Sequence, residues 1–185
     1  MITLEATLLH WIKDDGKDDP SDLCAHSPVA FAIDGQTIVN PDDGDWTVSA
    51  SAIFLLRALA RDHTKDNPVG DQLFPCCGHG IYAVSESEVV ICGCPNGINP
   101  EIRKNAGTYE VVTESGEKYV VADRKLRSAV LQYSEQVQKF YEESAPKEPK
   151  DDEDRKGFKS MMSEWKRNHA EQPLSTSVGK RKTSL

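Results

Sequence analysis

The segment from Trp46 to His63 places the first constraint on the fold, because it carries the clearest helical period in the chain. Val48, Ala52, Ile53, Leu55, Leu56, Leu59 and Ala60 recur at helical spacing and make a wide apolar stripe, while Arg57, Arg61 and Asp62 take other positions. Thr47 or Ser49 is placed to cap this helix. Asn67-Pro68 and Gly70 end the unit. Such a stripe has to be buried against other elements.

Those elements read mainly as hairpins. Asp34-Gly35 separates Val29-Ala30-Phe31-Ala32-Ile33 from Gln36-Thr37-Ile38-Val39. Asp-Gly between two β-type runs is the strongest short-range hairpin signal. A second pair, residues 80–85 and 88–93, flanks a short Ser/Glu turn, and a third joins 109–113 to 117–121 around Glu114-Ser115-Gly116. The opening segment, Ile2 to Ile12, is expected as a short helix, because Leu4, Leu8, Leu9 and Ile12 fit helical spacing. Lys13 to Pro28 reads as a polar, turn-rich loop.

A long helix is expected from Asp123, a plausible N-cap, with Leu126, Val130, Tyr133, Val137 and Phe140 forming one buried seam. Residues 146–156 read as a charged linker that does not bury a core. Phe158, Met161, Met162 and Trp165 recreate a short amphipathic helix, either docked on the core or offered to a partner. The expected organisation is a single α+β domain over 1–145, the linker, a C-terminal helix over 157–170 and a disordered tail over 171–185. The expected fold class is α+β, with an antiparallel or mixed sheet of hairpins packed against two main helices, plus the short C-terminal helix.

No apolar run approaches the roughly 18 residues of a membrane span. Met1-Ile2-Thr3-Leu4-Glu5 lacks the basic start of a secretory signal. The expectation is a cytoplasmic protein with no membrane partner. Of the 30 acidic and 22 basic residues, 1–100 hold 15 and 5, a net of −10; 101–185 hold the other 15 and 17, a net of +2. An acidic first half argues against direct nucleic-acid binding, which needs clustered Lys and Arg. It suits a basic protein partner, whose encounter it would steer. The candidate binding residues are Asp14, Asp15, Asp18, Asp19, Asp42, Asp43, Asp45 and Trp46; Trp is enriched at interface hot spots, although Trp46 reads first as a packing residue.

The five cysteines are Cys24, Cys76, Cys77, Cys92 and Cys94. If the second hairpin turns about Ser85 to Ser87, His79 faces Gly93 and Cys77 faces Pro95. That brings Cys77, His79, Cys92 and Cys94 within reach of one another, the ligand types of a zinc site. The spacing is wrong for it: structural zinc sites use C-x₂₋₄-C pairs, and adjacent strand residues such as Cys76 and Cys77 point to opposite faces. The reading preferred here is small packing thiols and no cofactor, with a zinc-binding protein or metalloenzyme as the alternative. No nucleophile signature surrounds His79, Cys76 or Cys77, so no catalytic residue is assigned. His63 reads as a cation at a helix end and His10 as packed beside Trp11.

Three segments together, residues 46–68, Phe74-Pro75-Cys76-Cys77-Gly78-His79 and residues 91–99, followed by Phe158 to Trp165, resemble small bacterial immunity proteins encoded beside polymorphic or contact-dependent toxins. The resemblance covers residues 46–170. It implies a non-enzymatic protein that binds and occludes a cognate toxin domain, often a nuclease with a basic cleft. It carries over no residue-level binding motif.

Overall fold

The computed structural model describes residues 1–78 and 80–172. The fold is α+β, with antiparallel sheets and three α-helices among the described residues. The opening segment is a strand, β1 (Ile2–Ala6), where a helix was expected. Leu4 and Ala6 point into the core and Glu5 points out, the period of a strand. Helical spacing linked Leu4 to Leu8 and Ile12, yet Leu8 and Ile12 are exposed. A long-range partner decides the matter, since β1 pairs along its whole length with the strand at Val29–Ile33.

The stretch expected as a loop contains a two-residue hairpin, β2 (Lys13–Asp14) with β3 (Lys17–Asp18), and then β4 (His26–Ser27). β5 (Val29–Ile33) turns at Asp34-Gly35 into β6 (Gln36–Val39), completing the sheet β1-β5-β6. Asp34 and Gly35 both have positive φ, 50° and 85°, as the tight hairpin turn requires. A 3₁₀ turn at Pro41–Asp43 leads to β7 (Trp46–Thr47), paired with β4, and to α1 (Val48–Ala60).

Helix α1 is covered nearly all round. Every residue from Val48 to Leu59 is buried except Arg57. Thr47 is its N-cap residue but makes no side-chain cap bond, and Ser49 is drawn elsewhere, accepting from the Ala25 amide at 2.8 Å. β8 (Phe74–Pro75), β9 (Gly80–Ser85), β10 (Glu88–Cys92) and β11 (Gly97–Ile98) then form one long interrupted hairpin. Ile81 lies opposite Ile91, and Phe74 opposite Ile98. A meander follows, β12 (Glu101–Asn105), β13 (Thr108–Val112) and β14 (Lys118–Ala122). β12 was not anticipated, because Ile102 is its one buried residue and the remainder is polar.

Helix α2 (Asp123–Glu143) buries Leu126, Val130, Tyr133 and Val137, with Phe140 partly buried, along the expected seam. Ala122 is its N-cap residue, not Asp123, which instead pairs with Arg127 at 3.0 Å. Helix α2 lies between β1 and α1. Tyr133 and Tyr141 each meet a serine of α1, at Ser51 and Ser49, with O···O distances of 2.7 Å. Small residues on α1 leave room for those phenols, and the hydroxyls satisfy each other in a dry interface.

Helix α3 (Asp152–Ala170) begins earlier than expected, capped by Asp151, whose side chain accepts from the Glu153 and Asp154 amides. The segment before it is held in place. Lys147 sits 3.3 Å above the Trp11 ring and donates to the Asp19 carbonyl, and the Glu148 amide donates to the Pro20 carbonyl. Trp11 stacks on Phe140 rather than packing beside His10. Helix α3 is docked: Met161 and Trp165 are fully buried, and Trp165 Nε1 donates to Ser134 at 2.6 Å. Gly157 presses so closely on β9 that an added Cβ would lie 1.9 Å from the Ile81 carbonyl oxygen. Of the expected tail, residues 173–185 lie outside the described residues. No helix among the described residues is long and apolar enough to cross a membrane.

One ion pair ties α1, β10 and α3. Arg57 Nε donates to Glu164 Oε1 at 2.7 Å and Nη2 to Oε2 at 2.8 Å. The same two groups bond both backbone atoms of Val89: its N–H donates to Glu164 at 2.8 Å and its carbonyl accepts from Arg57 at 2.6 Å. Arg57 also donates to the Val69 carbonyl, and Asn168 donates to Glu164. Burial alone would raise the Glu164 pKa, but the bonds and charge of Arg57 hold it below the usual carboxylate value. Removing one member of a buried pair leaves the other charge uncompensated, typically at about 3–5 kcal/mol. Glu164→Ala should therefore lower unfolding stability by about 3–5 kcal/mol, read as a fall in the urea midpoint with an unchanged slope.

Candidate functional site

Past β1 the chain runs extended along the rim of the fold, and Trp11 turns inward while Leu8, His10 and Ile12 turn outward. Leu8 is 67% exposed and Ile12 45%. The segment is fixed by backbone bonds: the His10 and His26 amides each donate to the other's carbonyl at 2.9 Å, and the Leu8 amide donates to Ser27 Oγ. Two apolar side chains are therefore held in solvent on a rigid rim.

Acids flank them on both sides. On the β2–β3 hairpin, Asp14, Asp15 and Asp18 are exposed, and Asp15-Gly16 forms its turn with φ of 48° and 79°. Lys13 lies opposite Asp18 and Lys17 opposite Asp14, so across 13–19 four carboxylates face two lysines. On the other side, Asp42, Asp43 and Asp45 are exposed. Asp43 and Asn40 form a reciprocal cap on the 3₁₀ turn. His10 ties this second run to the rim, with Nε2 2.9 Å from Asp45 and Nδ1 3.0 Å from the Leu8 carbonyl.

Two of the expected binding residues are not free. Asp19 is half-buried, and its Oδ1 accepts from the Ser21 amide and hydroxyl, both at 2.8 Å; these bonds lower its pKa. Trp46 is only 8% exposed and sits across β4 beside Ser27, with no partner for its indole nitrogen among the described residues. It is a packing residue and not an anchor, because its strand pairs inward. Sequence reading missed Leu8 and Ile12, which the helical assignment had placed on a buried face. Behind this rim, Asp22 accepts from the Ile12 amide at 2.8 Å and lies 3.4 Å from His26. Burial opposes its ionisation, and bonds from His26 and the Ile12 amide overcome this and lower its pKa.

His63 is also unlike its expectation. α1 ends at Ala60, and His63 lies beyond it, fully buried, bridged to Ile102. Its Nδ1 accepts from the Val69 amide at 3.1 Å and its Nε2 lies 2.8 Å from Asn99 Oδ1. That pattern fits the neutral ring, and burial lowers its pKa.

The cysteines form a second feature at the interruption of the long hairpin. The Cys76 amide donates to the Asn96 carbonyl, and the Cys94 amide donates to Cys77 Sγ at 3.0 Å. Any side chain at Gly93 would bring its Cβ within 1.6 Å of the Cys77 carbonyl oxygen, so the close approach requires glycine. The Cys76, Cys77 and Cys94 thiols lie close enough to shift one another's pKa. Cys77 holds Cys94 below the ordinary thiol value, and Cys94 pushes Cys76 and Cys77 up. Cys76 and Cys77 lie outside any strand, past the end of β8, so strand alternation does not apply to them.

Of the four candidate zinc ligands, Cys77 and Cys94 meet. Cys92 is exposed at the β10 end opposite Gly80, and His79 lies outside the described residues. Among the described residues no three His, Cys, Asp or Glu side chains are arranged to hold a metal ion. Cys24 is apart from all of these and buried, and its pKa is raised to about 12 by burial first and by Asp22 second.

No family model, curated protein or solved structure matches the chain. Thiol reactivity follows thiolate content and access. In the native protein, Cys94 should be the first residue alkylated by iodoacetamide and Cys24 should remain unmodified until unfolding, as read by peptide mass mapping.

Proposed function

We propose that this protein is a non-enzymatic binding protein that occludes a basic protein partner, in the manner of the immunity proteins that block a cognate toxin domain. The observation that carries this reading is the rim. Leu8 and Ile12 stand exposed between two runs of carboxylates, Asp14, Asp15 and Asp18 on one side and Asp42, Asp43 and Asp45 on the other. Apolar side chains give a partner area to bury, and the surrounding carboxylates repel acidic competitors and attract basic ones. The rim is held by backbone bonds to β4 and by the Asp22 carboxylate, so binding would lose little conformational freedom on this side. A stable complex of this kind buries about 1,600 Å² in total, and the two acidic turns widen the contact on either side of Leu8 and Ile12. In this reading the protein acts in the cytoplasm and needs no cofactor.

The two kinds of residue contribute to different rates. Charges at a rim act on association, and central apolar contacts act on dissociation. The reading expects a basic toxin domain encoded beside this chain, and the test is stopped-flow binding to that domain over a series of salt concentrations. Replacing Asp14, Asp15, Asp18, Asp42, Asp43 and Asp45 with Asn should slow association roughly tenfold at low salt and flatten its salt dependence. Leu8→Ser with Ile12→Ser should instead accelerate dissociation. Unchanged rates in both variants would remove the rim from the interface.

A further inference from the structure

We infer that Cys77 and Cys94 form a site of reversible thiol oxidation, closing to an intramolecular disulfide that bridges the gap in the long hairpin. This goes beyond the binding reading and does not depend on it. The ladder of β9 with β10 and that of β8 with β11 belong to the same pair of chain segments, and pairing lapses only between them. In that lapse Cys77 is pressed against Gly93, and its sulfur lies 3.0 Å from the Cys94 backbone nitrogen. The two thiols shift each other's pKa, and both are partly open to solvent. The Cys76 amide bond to the Asn96 carbonyl on one flank and the pairing of Gly80 with Cys92 on the other hold the two segments together whatever the oxidation state. A disulfide needs sulfurs on segments that do not have to move far, and the seat of Cys77 Sγ on the Cys94 backbone supplies that placement.

The oxidant is a low-molecular-weight disulfide such as oxidised glutathione. The Cys94 thiolate attacks one sulfur of that disulfide; a Cys94–glutathione bond forms, and one glutathione thiolate leaves. The Cys77 thiolate then attacks Cys94 Sγ; the protein disulfide forms, and the second glutathione leaves. Two protein thiols lose two electrons and two protons, and one glutathione disulfide becomes two glutathiones. Cys94 is suited to the first step because Cys77 favours its thiolate. The Cys76 thiol is also influenced by Cys94, but it lacks the contact that places Cys77 against the Cys94 backbone.

The experiment uses the full chain, fully reduced and then equilibrated in buffers of rising oxidised-to-reduced glutathione ratio. Cys76, Cys77, Cys92 and Cys94 all lie between Lys65 and Arg103 with no intervening Lys or Arg, so trypsin leaves them on one peptide. Cleavage after Glu86 and Glu88 separates Cys76 and Cys77 from Cys92 and Cys94 unless a bond joins them. The expected result is a loss of two hydrogen masses in the intact monomer and a Glu-cleaved pair linked through Cys77 and Cys94. Cys77→Ser and Cys94→Ser should abolish the link, while Cys76→Ser and Cys92→Ser keep it. A far-UV spectrum matching the parent shows that each variant is folded, and the mass loss in the unaltered chain stands even where a variant is not. No mass loss at the most oxidising ratio, a link through Cys76 or Cys92, a dimer, or a glutathione adduct that is never displaced would overturn the assignment.

Discussion

Helix α3 belongs to this fold because of a paired charge that replaces a missing strand. Among the described residues β10 has a strand neighbour on one side only, β9. On its other side, the Val89 N–H and carbonyl would be left without partners, and Glu164 and Arg57 accept and donate in their place. A carboxylate and a guanidinium bonded to each other offer an acceptor and a donor side by side, the same pair an adjacent strand would present. Buried charges of this kind are costly unless every remaining polar atom is bonded, and here Val69 and Asn168 complete the set. The pair explains why a lone arginine interrupts an otherwise buried α1, and why a glutamate stands on the inner face of α3.

The arrangement also separates the two candidate functions of the surface. α3 is occupied by the core, with Met161 and Trp165 sealed against α1 and α2, so its apolar face is not available to a partner. The rim carrying Leu8, Ile12 and the acidic turns faces solvent and turns Trp11, with Leu9 partly, to the interior. Trp11 in turn orders the approach to α3 through Lys147. The scaffold thus immobilises the outward face without using it, as a surface reserved for recognition would require.

Local signals in the sequence made much of this legible, and long-range ones did not. Asp34-Gly35 announced its hairpin, and the turn at Ser85 to Ser87 gave the register that brings Cys77 near Cys94. The seam from Leu126 to Phe140 named the buried face of α2. Asp15-Gly16 carries the same turn signal, but Lys and Asp flank it where apolar strands would make it conspicuous. β1 mimicked a helix because Leu4, Leu8 and Ile12 happen to be four apart, and only pairing with β5 settles its period. β12 is nearly all polar, so its place depends on Ile102 bonding to His63. Arg57 and Glu164 stand 107 residues apart, beyond any pattern of spacing. Trp46 shows the opposite difficulty: composition cannot tell a buried indole from an exposed one.

Native-state hydrogen exchange at the Val89 amide tests the clamp most directly, because that hydrogen is held by Glu164 alone on the open side of β10. If the ion pair unites α3 with the core, the Val89 amide exchanges only through global unfolding, with the same opening free energy and the same denaturant dependence as the amides of Leu55 and Leu56 in α1. A Val89 amide that exchanges through a smaller, denaturant-independent opening while α1 stays protected would show that α3 and the hairpin detach on their own, and would contradict this account.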